Sequence, residues 1–168
     1  RRQRQMCIRD SVNEDGLVAI GTENASKKSI LIYTSNGTFQ YGYEFDSSGS
    51  FGVEWDGNNI IIYLIRSDLA VLTDEKGTVL ELYEIENTIE NNSYWNHSVF
   101  TPQREVNNSR YIMKNDMGLL NVLASSYSQV VKIDNNENET IIYDFSDQYA
   151  AKVIVISAAA IVFSAVVV

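Results

Sequence analysis

The 168-residue chain holds one cysteine, one histidine and one proline. A lone cysteine excludes an internal disulfide framework, and one cysteine with one histidine cannot complete a Cys/His zinc site. Any Cys-His or Ser-His-Asp catalysis would have to run through His97. Gly-x-Ser-x-Gly, phosphate-loop and dinucleotide fingerprints are also missing, so no cofactor is expected. What remains is 45% hydrophobic, 11% aromatic and 21% charged, the make-up of one globular domain.

Both ends stand apart from the rest. Arg1 to Ser11 (RRQRQMCIRDS) resembles one reading frame of the transposase adapter used to prepare sequencing libraries. A signal peptide would need an apolar stretch next, and Val12-Asn13-Glu14-Asp15-Gly16 follows instead. The resemblance implies that Cys7 and four of the thirteen basic residues are foreign to the natural protein, and that its true start is missing. From Ser11 onward nine basic residues face twenty-one acidic ones, a formal charge of about −12. Such a surface repels phosphate backbones, so nucleic acid is not an expected partner.

At the other end, Val153 to Val168 (VIVISAAAIVFSAVVV) carries no charge. Sixteen helical residues span roughly 24 Å, short of the roughly 30 Å hydrocarbon core. Extending back to Tyr149 gives twenty residues, with Lys152 placed to snorkel and Tyr149 suited to the interface. The pattern predicts a transmembrane helix over 149–168, anchored through Tyr149, Lys152, Val153, Ile154 and Phe163, and truncated at its far end. The competing reading is a core helix or a buried strand pair. The membrane reading makes the lipid bilayer a partner and puts the rest of the chain on the extracytoplasmic side of a single-pass cell-membrane protein.

Residues 12–148 alternate in Tyr- and Ile-rich runs broken by Gly, Asn, Asp and Ser, which predicts an all-β domain. Candidate strands cover 17–22, 29–34, 38–45, 51–55, 59–65, 69–73, 78–85, 111–114, 119–124, 129–133 and 140–145, with no amphipathic helix between them. A repeat is visible among the hairpins. ILIYTSNGTFQYGYEF (Ile30–Phe45) lies on AVLTDEKGTVLELYEI (Ala70–Ile85) without a gap, Gly37 on Gly77 and Tyr43 on Tyr83. VVKIDNNENETIIYDF (Val130–Phe145) follows, with Asp134 on Asp74 and Tyr143 on Tyr83. Phe51–Ile60 also overlays Tyr111–Leu120, with Asp56 on Asp116. The expected units are 17–45, 51–86 and 110–145, each a four-stranded antiparallel unit, with an insertion over 87–109.

This unit resembles the blades of quinoprotein-type and related β-propellers, across roughly Leu17 to Phe145. The resemblance implies a partial propeller or open β-array. It licenses no cofactor residues, because no tryptophan docking motif recurs from unit to unit.

Candidate chemistry is sparse. Tyr94, Trp95, Asn96 and His97 cluster inside the insertion, where aromatic planes with an amide and an imidazole could form a platform for a sugar or peptide. The plainer reading is a surface loop whose aromatics anchor it to the sheet. Asp134 to Glu139 opens like a calcium loop but lacks Gly at the sixth place and Glu at the twelfth, so it reads as a hairpin turn. Asp56-Gly57-Asn58-Asn59 reads as a tight turn. Six Asn-x-Ser/Thr sequons could carry glycans in a eukaryotic secretory protein, but the Asn, Ile, Tyr and Lys usage looks more like translation of an AT-rich bacterial genome, where they carry no argument. The function expected is a membrane-anchored binding, interaction or sensory module for an unknown protein or small-molecule ligand. Two alternatives stay open: a fragment of a propeller hydrolase or quinoprotein with its active residues elsewhere, and a structural subunit of a cell-envelope complex.

Overall fold

The structure, a computed structural model, describes residues 9–24, 27–123 and 127–166. Among these residues twelve strands form three four-stranded antiparallel sheets, each a simple meander. The first sheet holds β1 (Arg9–Val12), β2 (Val18–Asn24), β3 (Lys27–Tyr33) and β4 (Phe39–Asp46). The second holds β5 (Phe51–Asp56), β6 (Asn59–Leu64), β7 (Leu69–Thr73) and β8 (Val79–Glu84). The third holds β9 (Gln103–Val106), β10 (Ser109–Lys114), β11 (Gln129–Ile133) and β12 (Glu139–Asp144). The expected all-β repeat of four-stranded units is therefore present.

The hairpin between the third and fourth strands recurs nearly bond for bond. In each copy the first turn residue pairs with the residue four on: Thr34 N–H to Thr38 O at 2.9 Å, Asp74 to Thr78 at 3.0 Å, and Asp134 to Asn138 at 3.1 Å. Asp74 Oδ1 accepts from the amides of Lys76 and Thr78, and Asp134 Oδ1 from those of Asn136 and Asn138. These bonds hold the Asp74 carboxyl below its ordinary range, and the Asn138 side-chain amide on Oδ2, together with them, holds Asp134 below its own. They also assign Asp134–Glu139 to a turn, as its lack of Gly at the sixth place suggests.

The sheets do not stack in chain order. Successive residues on a strand face opposite sides, and on β2 both sides are buried. Val18 and Ile20 join Tyr111, Met113, Val130 and Ile142 of the third sheet in one core cluster. Ala19, with Ile30 and Ile32 of β3, joins Phe51, Val53, Ile60 and Ile62 of the second sheet in another. The first sheet is the middle layer, with the second and third sheets on its two faces. Each fully buried aliphatic side chain in these clusters contributes about 1.5–3 kcal/mol.

Both seams use the same repeat positions. Tyr43 of β4 reaches the second sheet, its hydroxyl 2.7 Å from Thr73 Oγ1. Tyr143 of β12, its counterpart, lies against Tyr33 of the first sheet with ring centroids 5.7 Å apart. Tyr33 and Thr73 are themselves equivalent at an offset of forty residues. A Cβ at Gly77 would fall 2.7 Å from the Tyr43 ring, and one at Gly37 would fall 2.7 Å from Ile141 O. Each neighbour thus lies directly over a hairpin glycine.

The C-terminal expectation needs correction. Among the described residues no helix is long and apolar enough to cross a membrane. Helix α2 (Ser146–Val166) starts directly after β12, and its beginning is committed to the β body. Tyr149, expected at a lipid interface, is buried with Phe145 in the core shared by the first and third sheets, and Val153 packs against that core. Ile154 is exposed. The side chains of Lys152 and Phe163 lie outside the described residues. An apolar run in sequence shows a need for cover without showing what supplies it, and here the sheets cover its start.

Other expectations shift as well. The strand expected over 119–124 is absent among its described residues: Gly118–Leu123 form a short 3-10 turn with Leu119 and Val122 exposed, and residue 124 lies outside the described part. The overlay of Phe51–Ile60 on Tyr111–Leu120 fails, because β5 opens its sheet whereas Tyr111 lies in the second strand of the third. β9 takes residues 103–106 from the expected insertion, and the extra length is divided between the β8–β9 connection over 85–102 and the long β10–β11 connection over 115–128. The adapter-like segment contributes Arg9 to Ser11 to β1, and residues 1–8 lie outside the described part.

Candidate functional site

The insertion is helical rather than a loop. Thr88 Oγ1 accepts the Asn91 amide at 3.1 Å and caps α1 (Ile89–Tyr94), which continues as a wider π-helical turn over Trp95–Val99. Trp95 and Val99, four apart, are its buried residues. A Cβ at Gly52 would lie 2.4 Å from Val99 Cγ1, so a glycine there lets the turn seat on β5. This is the face of the second sheet opposite the first. Arg104 of β9 donates from Nη1 to Ser98 O at 2.8 Å and from Nη2 to Val99 O at 2.9 Å, satisfying carbonyls that a helix end leaves open.

The four expected platform residues therefore separate. Trp95 is turned inward. The Tyr94 hydroxyl donates to Glu54 Oε1 at 2.5 Å, and Tyr63 donates to Glu54 Oε2 at 2.7 Å, so one carboxylate is bracketed by two phenols. Burial first and Glu54 second push Tyr94 up to about 12 and raise Tyr63 further. Asn96 and His97 face solvent, and His97 Nδ1–H donates to Ser93 O at 2.8 Å. Trp95 acts as an anchor and leaves the surface, whereas Tyr94, tied to Glu54 through its hydroxyl, stays exposed as Asn96 and His97 are.

A different place gathers polar groups. The first hairpins of all three sheets turn at the same end of the molecule. In the first, Asn13 Oδ1 accepts the Leu17 amide at 2.8 Å and Gly16 takes φ +79°. The second is the two-residue turn Gly57-Asn58, with Gly57 at φ +58°. The third is Asn107-Asn108, both left-handed at φ +48° and +57°, a conformation asparagine tolerates better than most residues. Asn107 Nδ2 donates to Glu14 O at 2.5 Å and ties the third turn to the first.

Between these turns lies a cleft of about 460 Å³, lined by Val12, Asn13, Glu14, Asp15, Trp55, Gly57, Asn58 and Val106. Trp55 forms an aromatic wall and is held rigidly, its amide on Ser11 Oγ at 3.2 Å and its indole N–H on Ser11 O at 3.1 Å. Glu14 and Asp15 are exposed at the rim. The lining includes two carboxylates and two amides but no basic group, so the field favours cations and repels anions. Asp56-Gly57-Asn58-Asn59 was legible in sequence only as a turn; nothing along the chain marks Asn13, Asn58 and Asn107 as neighbours.

Below the cleft sits one unsatisfied group. Asp10 is buried, and Arg104 Nε lies 3.5 Å from its Oδ1 while donating to its backbone carbonyl at 3.0 Å. Neither carboxylate oxygen has a hydrogen-bond partner. Burial outweighs the nearby guanidinium and pushes Asp10 up to about 6. Among the described residues no three His, Cys, Asp or Glu side chains converge as metal ligands would. No protein-family model matches the chain, and no curated protein matches it.

Proposed function

We propose that the three-sheet array is a binding module whose ligand enters the three-turn cleft. The observation that carries this reading is the cleft itself: about 460 Å³, within the range of small-molecule sites, with a pinned indole on one side and converging amides and carboxylates on the other. An aromatic face suits the apolar face of a sugar ring or an alkylammonium, and the amides suit hydroxyls. The ligand class is thus a small cationic or polyhydroxylated molecule. The three meanders hold the turns at fixed separation, so little ordering cost remains on binding.

Tryptophan fluorescence tests the proposal. The chain has two tryptophans, and Trp95→Phe leaves Trp55 as the sole reporter. Titration with glucosamine, glucose and glucuronate should give a saturable change, strongest for glucosamine and absent for glucuronate. Glu14→Gln combined with Asp15→Asn should weaken glucosamine several-fold and leave glucose nearly unchanged, as expected for exposed charges. A flat response to all three sugars, or one that the double substitution does not alter in this order, overturns the reading.

A further inference from the structure

The fourth strands of the three sheets are equivalent by sequence, yet only one of them lies bare. Along β8 all six residues are exposed, with Val79 and Leu82 at 58%, Leu80 at 48% and Tyr83 at 45%. Its counterparts are engaged: Tyr43 packs into the core between the first and second sheets, and Tyr143 into that between the first and third. The charges differ in the same way. Glu44 on β4 pairs with Lys27 at 3.0 Å, Glu139 on β12 pairs with Lys114 at 2.6 Å, and Asp144 accepts from Gln129 Nε2 at 2.7 Å. On β8, Glu81 accepts the hydroxyl of Tyr83, and neither Glu81 nor Glu84 has an ion-pair partner among the described residues.

The backbone is open as well. β8 ends its sheet and pairs only with β7. The Ile85 amide donates inward to Asp68 O at 2.8 Å. With antiparallel alternation this directs the amides of residues 81 and 83 toward β7 and those of Leu82 and Glu84 outward. Natural edge strands of this kind are usually guarded by lysine, proline or a covering loop; β8 has neither lysine nor proline.

We propose that β8 is a docking edge for an extended segment of another protein in which apolar residues alternate with lysine or arginine, added as a fifth strand of the second sheet. Main-chain bonds to Leu82 and Glu84 would supply pairing, and the carboxylate on the face the basic side chains take, Glu81 on one side or Glu84 on the other, would select them. Charge complementarity decides the occupant: a second copy, also at formal charge −9, would set Glu81 and Glu84 of its own β8 against these. The inference uses a surface distinct from the three-turn cleft and stands or falls separately from it.

The test is an NMR titration of the isotope-labelled full chain with a ten-residue peptide of alternating lysine and valine, against one of alternating glutamate and valine. Expected are shifts confined to β8 and its β7 neighbours, at least tenfold weaker for the acidic peptide, and weakened several-fold between 50 and 300 mM salt. Leu82→Pro removes an outward amide and should abolish the response. Should that variant misfold, Glu81→Gln with Glu84→Gln should still weaken binding about tenfold while keeping the native spectrum. Shifts centred elsewhere, equal response to both peptides, or self-association of the free chain through β8 would each overturn the proposal.

Discussion

The hairpin that joins third and fourth strands occurs three times, and in two of them a neighbouring sheet lies on top. There the fourth turn residue is Gly37 or Gly77, at φ +84° and +78°, with no room for a Cβ. In the third sheet the equivalent residue is Glu137 at φ +62°, a conformation that L side chains adopt with strain. The same turn bonds form in all three, so the turn by itself does not demand glycine. What demands it is the body pressed against the turn. Glu137 instead borders an open concavity of about 670 Å³.

The largest test of this contrast is to fill the two covered seats. Gly77→Ala or Gly37→Ala combines left-handed strain with overpacking and should cost about 4 kcal/mol, read as a lower denaturation midpoint. A loss below about 1 kcal/mol would mean that the seams are looser than the contacts imply. Next come the tyrosines. Tyr43→Ala and Tyr143→Ala should each cost about 3 kcal/mol, whereas Tyr83→Ala, at the bare position, should cost under about 1. Equal losses at all three would erase the distinction between the two tyrosines that reach a neighbouring sheet and the one that does not.

The two seams should also part company with pH. Asp10, joined to Arg104 of the third sheet, has a folded-state value near 6 against an ordinary 3.8. A raised acid holds its proton in the fold, so stability falls as pH rises from about 4 through 6 and the deficit persists above. Asp10→Asn should match the parent below pH 4 and exceed it by about 2–3 kcal/mol above pH 6, in urea titrations across that range. A gap independent of pH would show that the carboxyl is not buried as described. Smallest is the reverse swap at the open seat: Glu137→Gly should stabilise by about 1 kcal/mol through relief of strain.

The strands that alternate could be read directly, because β3, β4, β6, β7, β8, β11 and β12 carry enough Val, Ile, Leu, Phe or Tyr to state their period. The same signal failed for β1 and β9. RDSV and QREV are polar since they run beside the junction of the sheets, where Arg104 serves carbonyls instead of packing apolar surface. The helix over 89–99 buries only Trp95 and Val99, too few for a periodicity, and a glycine on another strand makes the seat. The C-terminal run was misread for a related reason: Tyr149 is covered by residues distant in the chain. Of the cleft, only the Asp56–Asn59 turn was legible, and its meeting with the other two was not, because it depends on sheets that stack out of chain order.

That stacking order has a consequence for how the chain is made. Of the three sheets, synthesis delivers the central one before the other two, and residues 51–84 emerge soon after to cover one of its sides. The other side, with Val18, Ile20, Leu31 and Tyr33, keeps its greasy surface until residues beyond 103 leave the ribosome. A nascent chain stalled in that interval would be half-dressed and sticky, so the time spent translating the helical detour and β9 sets how long the growing polypeptide is vulnerable to clumping.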